Sequence, residues 1–473
     1  MKTPHKRHQN GFSQKHGGKA VDKIYCAIRL CSIGSKARKM EKSPKMTPKH
    51  TEISTIYETT MHWPPYTYRD YPEVVPESLQ AFMEMLGTEN SSSERKELQP
   101  WIPFCSLKCN FCYFPTELMS NNEMGKYLFA LKKSLEMYAR TKYVRTSEFS
   151  EIYLAGGTPS IMSTEQTIDL LTFCEKNFNF TDDREIKVTG CTHDFDYKKL
   201  KAFSEYGVAQ LDLGVQTFDD TIRKLVNLRD KAKNAEETIK TAHNLGLRVS
   251  VDLMYNLPGQ NLKVWIEDVQ RALELEVESA DCYALDVYPG TKIDQQLQSG
   301  DIPPRGNQEA ETEMYLEANN TFKAAGYKKT CHNRFSRIQE DFLEPCMEVL
   351  GTGAGFFMGN LGEFSYVDIN PSKAYIDTIN RGKLPISKLS RTSKDDNMRK
   401  MMMRLYIRLP VNKQEFKNRF GKMPEEAFED IINKLMQNGL IEDDGDEIRL
   451  TKLGDVWRYN VCWEFARPQE EYQ

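Results

Sequence analysis

Ile102-Pro103-Phe104-Cys105-Ser106-Leu107-Lys108-Cys109-Asn110-Phe111-Cys112-Tyr113-Phe114 decides how this chain is read, because it sets three thiols in a CxxxCxxC spacing on one short loop. Three thiolates so placed can hold three irons of a [4Fe-4S] cluster and leave the fourth iron without a protein ligand. An open iron can take a substrate or a cofactor. A structural zinc knuckle is the other reading of such a trio. Zinc loops usually come as two paired CxxC-type half-sites, however, and no second pair occurs in the sequence.

The rest of the composition narrows the setting. With 473 residues the chain is long enough for about three domains, although one α/β barrel can absorb much of that. A net charge of −4 and 39% hydrophobic residues suggest no nucleic-acid and no membrane-surface partner. No apolar run reaches the roughly 18 residues that span a bilayer, so a soluble protein without an integral membrane segment is expected. The eleven cysteines are odd in number and, outside the trio, scattered. That pattern fits a reducing, cytoplasmic setting rather than a disulfide framework. Residues 1–55 are basic and lack a sustained apolar period, which predicts a disordered tail. A basic, acid-poor start also fits a transit peptide, or a true start at Met40, Met46 or Met61.

Between about residues 98 and 290, short β-branched runs alternate with helical patterns, the signature of βα units on a parallel sheet. Strands are expected near 98–102, 152–155, 186–189, 210–215, 248–253 and 282–287, with helices over 123–140, 164–177, 197–206 and 235–245. Six such units predict an α/β fold built on a partial (β/α)6 barrel. In βα barrels the reactive side chains gather at the C-terminal strand ends, and the conspicuous motifs fall there: the cysteine loop, Gly156-Gly157-Thr158-Pro159, Gln216 and Asp252. Domain limits are expected at 56–97 for an N-terminal extension, 98–380 for the barrel with its closing extension, and 381–467 for a C-terminal winged-helix-like cover domain. In that last part helices are read at 401–409 and 424–439 and a hairpin at 441–450 around Asp444-Gly445. Glu425, Glu426, Glu429, Asp430, Glu442 and Asp443 make it acidic, which opposes phosphate contacts.

The cysteine motif, with Phe111 just before the third cysteine, resembles the radical S-adenosylmethionine (SAM) signature. Further motifs place the resemblance in the branch that holds the oxygen-independent coproporphyrinogen oxidases, the related haem chaperones and the class C radical SAM methyltransferases. They are Ala155-Gly-Gly-Thr-Pro159, Leu213-Gly-Val-Gln-Thr-Phe218, Asp252-Leu-Met-Tyr-Asn-Leu-Pro-Gly-Gln260, Gly351-Thr-Gly-Ala-Gly355 and Gly439-Leu-Ile-Glu442. The resemblance implies a radical SAM barrel, a cluster on Cys105, Cys109 and Cys112, two SAM molecules, and an electron donor such as flavodoxin or ferredoxin. It further implies that the first SAM lies near Gly156, and that Phe111, Gly157, Thr158, Gln216, Arg229 and Asp252 approach the second. Asp252, following an apolar strand, should carry a cationic or hydroxyl partner, since a lone buried carboxylate is costly.

Departures from the family pattern direct the functional expectation. Coproporphyrinogen oxidases carry a further cysteine two residues beyond the third, where this chain has Phe114, and an acidic residue expected after the third strand is replaced by Thr189. The neighbourhood of Gly326-Tyr327, His332-Asn333 and Phe364-Ser-Tyr366 looks closest to the methyltransferases. The expected activity is therefore C-methylation of an sp2 carbon in a planar small-molecule substrate: a quinone, tetrapyrrole or heteroaromatic. His332 is the candidate catalytic base, because imidazole titrates near neutral pH. The alternatives are an oxidase that decarboxylates porphyrinogen propionates, and a haem chaperone.

Overall fold

Alternating apolar runs and amphipathic helices assemble into six parallel βα units in the computed structural model, which describes residues 56–62, 71–119, 123–330, 333–338 and 348–466. The basic tail 1–55 and the candidate base His332 lie outside the described residues. The central strands are β1 (Lys96–Ile102), β2 (Phe149–Gly156), β3 (Phe180–Gly190), β4 (Gln210–Gln216), β5 (Arg248–Tyr255) and β6 (Ser279–Ala284). They pair in parallel in sequential order. Strand β1 is buried along nearly its whole length, as expected when helices cover one face of a parallel sheet and a barrel interior the other.

Local chemistry fixes the helices close to their expected limits. Helix Thr164–Asn177 starts at a capping box in which the Ser163 hydroxyl accepts from the Gln166 N–H and the Gln166 side chain accepts from the Ser163 N–H. Asp196 caps Tyr197–Tyr206, which then stops at Gly207 in the left-handed conformation.

Around this barrel the sheet is wider than six strands. β7 (Lys328–Lys329) and β8 (Arg334–Ser336) add antiparallel beyond β6. At the other edge β9 (Glu348–Thr352) pairs in parallel with β1 and leads to β10 (Gly359–Leu361), β11 (Phe364–Asp368) and β12 (Ile386–Arg391). The result is a twelve-stranded mixed sheet.

The C-terminal part has its own apolar core, including Leu405, Phe416, Ile432, Leu435 and Val461. Helices Lys413–Phe420 and Pro424–Gln437 pack there with a small sheet of β13 (Val411–Asn412), β14 (Ile441–Asp443) and β15 (Glu447–Leu450). The helix expected at 401–409 begins earlier, at Lys394, where Ser393 and Asp396 form a capping box, and ends as a 3-10 turn at Ile407. Lys394-Asp-Asp-Asn397 has no apolar period, so the cap alone marks that start.

Residues 56–62 run as a strap onto this part. The Tyr57 hydroxyl donates to Glu464 at 3.0 Å, the Met61 N–H to Asn460 at 2.9 Å, and Asn460 in turn donates to the Thr59 carbonyl at 2.9 Å. His62 ends the strap with Nε2 2.9 Å from Glu311 and Nδ1 3.8 Å from Asp286. Burial alone would lower its pKa, but bonding to Asp286 and Glu311 raises it from 6.5 to about 9. Because the folded value lies above the unfolded one, the stabilisation is complete below about pH 6.5 and is lost as pH rises through about 9. Protease cleavage within the strap is expected to accelerate as pH is taken from 7 to 10. His62→Ala should cleave quickly at every pH, the difference at pH 7 corresponding to about 1–3 kcal/mol.

Candidate functional site

The cysteine loop is held in place by backbone and amide contacts from three directions. Thr158 N–H donates to the Phe104 carbonyl at 2.8 Å, Met119 N–H to the Cys105 carbonyl at 3.1 Å, and Asn110 N–H to the Val226 carbonyl at 3.1 Å. The Asn110 side-chain amide also donates to the Leu225 carbonyl at 3.0 Å, and that of Asn227 to the Lys108 carbonyl at 3.0 Å. The Thr158 hydroxyl donates to Cys105 Sγ at 3.2 Å. Burial pushes all three thiols up, and Cys109 reaches about 12, with Cys112 and Cys105 adding to the effect. Three thiolates gathered in this surrounding require a cationic centre between them.

Among the described residues no three His, Cys, Asp or Glu groups are set closely enough to hold a single metal ion. A cuboidal cluster asks less of the protein, because each iron takes one separate thiolate. The donor set therefore fits the cluster that the sequence implies.

Gly156 and Gly157 are demanded by this packing. Gly156 adopts a φ of +137°, and a Cβ there would lie 2.2 Å from the Ile102 carbonyl oxygen. At Gly157 a Cβ would lie 2.8 Å from Cys105 Sγ. Thus the two glycines let β2 pass hard against the cysteine strand, a reason beyond the ligand approach expected from sequence.

A cavity of about 670 Å³ opens over the strand ends and is lined by Phe111, Cys112, Gly156, Gln216 and Asp252 among others. Its size lies within the range usual for small-molecule sites. Gln216 holds a φ of +65°, rare for a residue with a side chain, at the end of β4. Not all the expected contacts meet here. Thr158 and Arg229 line a separate small crevice with Cys109 and Cys191, and Arg229 is exposed.

The cavity floor carries charges that the sequence reading did not single out. Lys187 pairs with Glu151 at 3.0 Å and Arg334 with Asp281 at 2.7 Å, while Asp212 accepts from Gln210 at 2.8 Å. Asp252 sits among them. The partner expected for it is largely replaced by like charge: burial, then Asp281 and Asp212, drive its pKa well up, with Arg334 the opposing cation. Thr189, which stands where an acid was expected, donates to the Tyr153 hydroxyl at 2.9 Å.

One wall is aromatic. Tyr288 and Tyr113 stack at 3.9 Å between ring centroids, Tyr113 and Phe114 at 4.8 Å, and Phe114 and Phe357 at 5.7 Å, with interplanar angles of 20–25°. These four rings form a continuous run beside Cys112. Phe114 stood out in the sequence only as a departure from the oxidase cysteine pattern; an aromatic pair directly after a cysteine motif was the available signal for the wall.

Comparison with known proteins agrees with this geometry. Residues 100–272 match the Radical SAM superfamily and residues 392–457 the HemN C-terminal domain. The chain is 28% identical over 374 residues to the haem chaperone HemW of Bacillus subtilis, covering 77% of this chain and 97% of that protein. It is 23% identical over 397 residues to anaerobilin synthase of Escherichia coli O157:H7, covering 81% and 86% respectively. In fold it is similar to coproporphyrinogen III oxidase (HemN) of Escherichia coli, with a TM-score of 0.77, 19% identity, and coverage of 87% of this chain and 96% of that one. Among the described residues no helix is long and apolar enough to cross a membrane.

Proposed function

We propose, since this chain belongs to the radical SAM superfamily and to its coproporphyrinogen oxidase-like branch, that it is a tetrapyrrole-binding radical SAM protein of the haem-chaperone type. The methyltransferase expectation is corrected. Its relatives include haem chaperones and an anaerobilin synthase, and residues 392–457 match the HemN C-terminal domain.

The observation that carries the reading is the aromatic run beside the cysteine loop. Phe114 occupies the position where the oxidases have their additional cysteine, and it stacks between Tyr113 and Phe357 on the cavity wall. A planar macrocycle is bound best by flat aromatic faces with a few charged groups at its edge. Lys400 and Arg458 line the same cavity and are suited to peripheral carboxylates, while Lys187 and Arg334 in its floor are already paired with Glu151 and Asp281. Similarity over 77% of this chain and 97% of a protein named a haem chaperone favours this over the oxidase reading.

Cys105, Cys109 and Cys112 would hold the cluster, and Phe111, Gly156, Gln216 and Asp252, which line the cavity, would face SAM there. With both bound, the chemistry supplied is one-electron cleavage of a sulfonium. The chain's own residues then orient the ligands and exclude water. A second SAM, if taken, is approached by Gln216 and Asp252 rather than by Arg229. A reducing cytoplasm that contains the electron donor is the setting this reading requires.

Anaerobically reconstituted protein titrated with haem is expected to give a saturable Soret shift at one haem per chain, without carbon dioxide release from porphyrinogen. Tyr113→Ala combined with Phe114→Ala should weaken binding about tenfold or more, given roughly 0.5–1.5 kcal/mol per stacked pair. Carbon dioxide and 5′-deoxyadenosine from porphyrinogen would move the assignment to the oxidase.

A further inference from the structure

The cysteine loop has two faces, and only one of them looks into the cavity. Phe111 and Cys112 face the cavity, whereas Ser106, Leu107 and Lys108 are exposed on the outside. A crevice of about 20 Å³ runs in from that outer side to Cys109, with Arg229 among its walls. The thiols are therefore separated from bulk solvent here by very little protein.

That outer face is basic in a chain whose net charge is −4. Arg229 lines the crevice, the exposed Lys108 Nζ lies 3.5 Å from the Phe114 carbonyl at the loop's edge, and the Asn227 amide on the Lys108 carbonyl ties the neighbouring stretch Lys224–Lys231 to the loop. Lys108, Lys224, Arg229 and Lys231 are all exposed. None makes an ion pair with a described residue, unlike Lys233, Lys240, Lys263 and Arg271 nearby in sequence, which do. Of the local carboxylates, Asp230 is committed inward to the buried Arg223, while Asp219 and the exposed Asp220 accept from the N–H groups of Thr221, Ile222 and Ala232, so the cations without an ion pair outnumber the acids that remain at the surface. Unpaired cations beside a thin wall form an attractive surface for an anionic protein.

We infer that the outer face of the cysteine loop, with Lys108, Arg229 and Lys231 around it, is the docking surface for an acidic one-electron carrier protein. The inference rests on the cluster assignment made above. A carrier docked at Leu107 approaches the cluster from the side opposite the substrate. It delivers one electron to the cluster, and no proton or other group crosses the interface. Because the attraction is between exposed charges, it acts mainly on the association rate and is screened by salt.

The test is stopped-flow reduction of the anaerobic, cluster-loaded full chain by fully reduced flavodoxin, followed by bleaching of the cluster absorbance. Lys108→Glu and Lys231→Glu should each slow the second-order step about tenfold at low ionic strength, with the gap closing near 0.5 M salt. Lys417→Glu, an exposed position in the C-terminal part, should match the parent, and dithionite should reduce all of these proteins at one rate. Equal flavodoxin rates for parent and both loop variants, with the chromophore intact, would overturn the docking surface alone. A parent protein with no chromophore would instead overturn the cluster assignment on which the surface depends.

Discussion

Cys109→Ala, purified and reconstituted without air, is expected to hold almost no iron and to lose the brown chromophore, against about four irons per chain in the parent. Cys105→Ala and Cys112→Ala should behave alike. The reason is geometric as well as chemical. The loop is already held by Val226, Leu225 and Asn227 around Asn110 and Lys108 and by Thr158 at Cys105, so among the described residues no other loop side chain offers a replacement for a missing thiolate. Cys191 is a spare sulfur close by, 3.9 Å from the Thr158 hydroxyl, but it belongs to the crevice wall rather than to the loop. Iron and sulfide analysis with the visible spectrum decides the matter; full iron loading in any of the three variants would contradict the assignment. Thermal unfolding of the apo proteins should be nearly unchanged, since the truncated thiols contribute little packing.

Gly156→Ala is expected to be the more damaging change to the fold. A methyl group would have to sit 2.2 Å from the Ile102 oxygen, at a backbone φ of +137° that side chains avoid. Either β1 and β2 separate or the turn rearranges, and both also displace the Gly157 N–H that donates to Ile102 at 2.7 Å. A loss of about 3 kcal/mol or more follows from combined strain and clash. Gly125→Ala is the matched control. Gly125 lies in helix Met124–Ala139 with open space around it, so alanine there should stabilise by up to about 1 kcal/mol. Urea denaturation of the apo forms measures both. Equal midpoints for Gly156→Ala and the parent would show that the close strand approach is not as described.

The central barrel was legible because each of its strands carries an apolar run and each intervening helix a separate period, so both signals agree over residues 98–290. The edges were not. Asp182-Asp-Arg-Glu185 reads as a loop, yet it lies within β3, where Phe180 and Glu185 pair with Phe149 and Glu151 of β2 across an irregularity in register, and the exposed polar side chains between them hide the strand. Glu348–Thr352 is too short to be assigned without knowing that β1 offers it an open edge.

The same physics limited the reading of the site. Cys105, Cys109, Cys112 and the glycine pair announce themselves by spacing. Glu151, Lys187, Asp212 and Asp281 do not, because a charged residue inside an alternating strand reads as solvent-facing, whereas in a barrel it points into the lumen. Register brings Asp252 opposite Asp281, a juxtaposition that no single strand discloses. Arg229 was drawn toward SAM by motif, yet it lies on the outer side of the loop with the crevice.

The strap formed by residues 56–62 joins segments that are remote along the polypeptide. Thr60 bonds Glu311 at 2.7 Å, while Tyr57 and Met61 reach Glu464 and Asn460. A seam stitched from segments so far apart in sequence is loosened by removing either one. A purification tag fused just ahead of Tyr57, or a truncation stopping short of Asn460, should unfasten the same rim of the cavity and leave the barrel beneath it untouched.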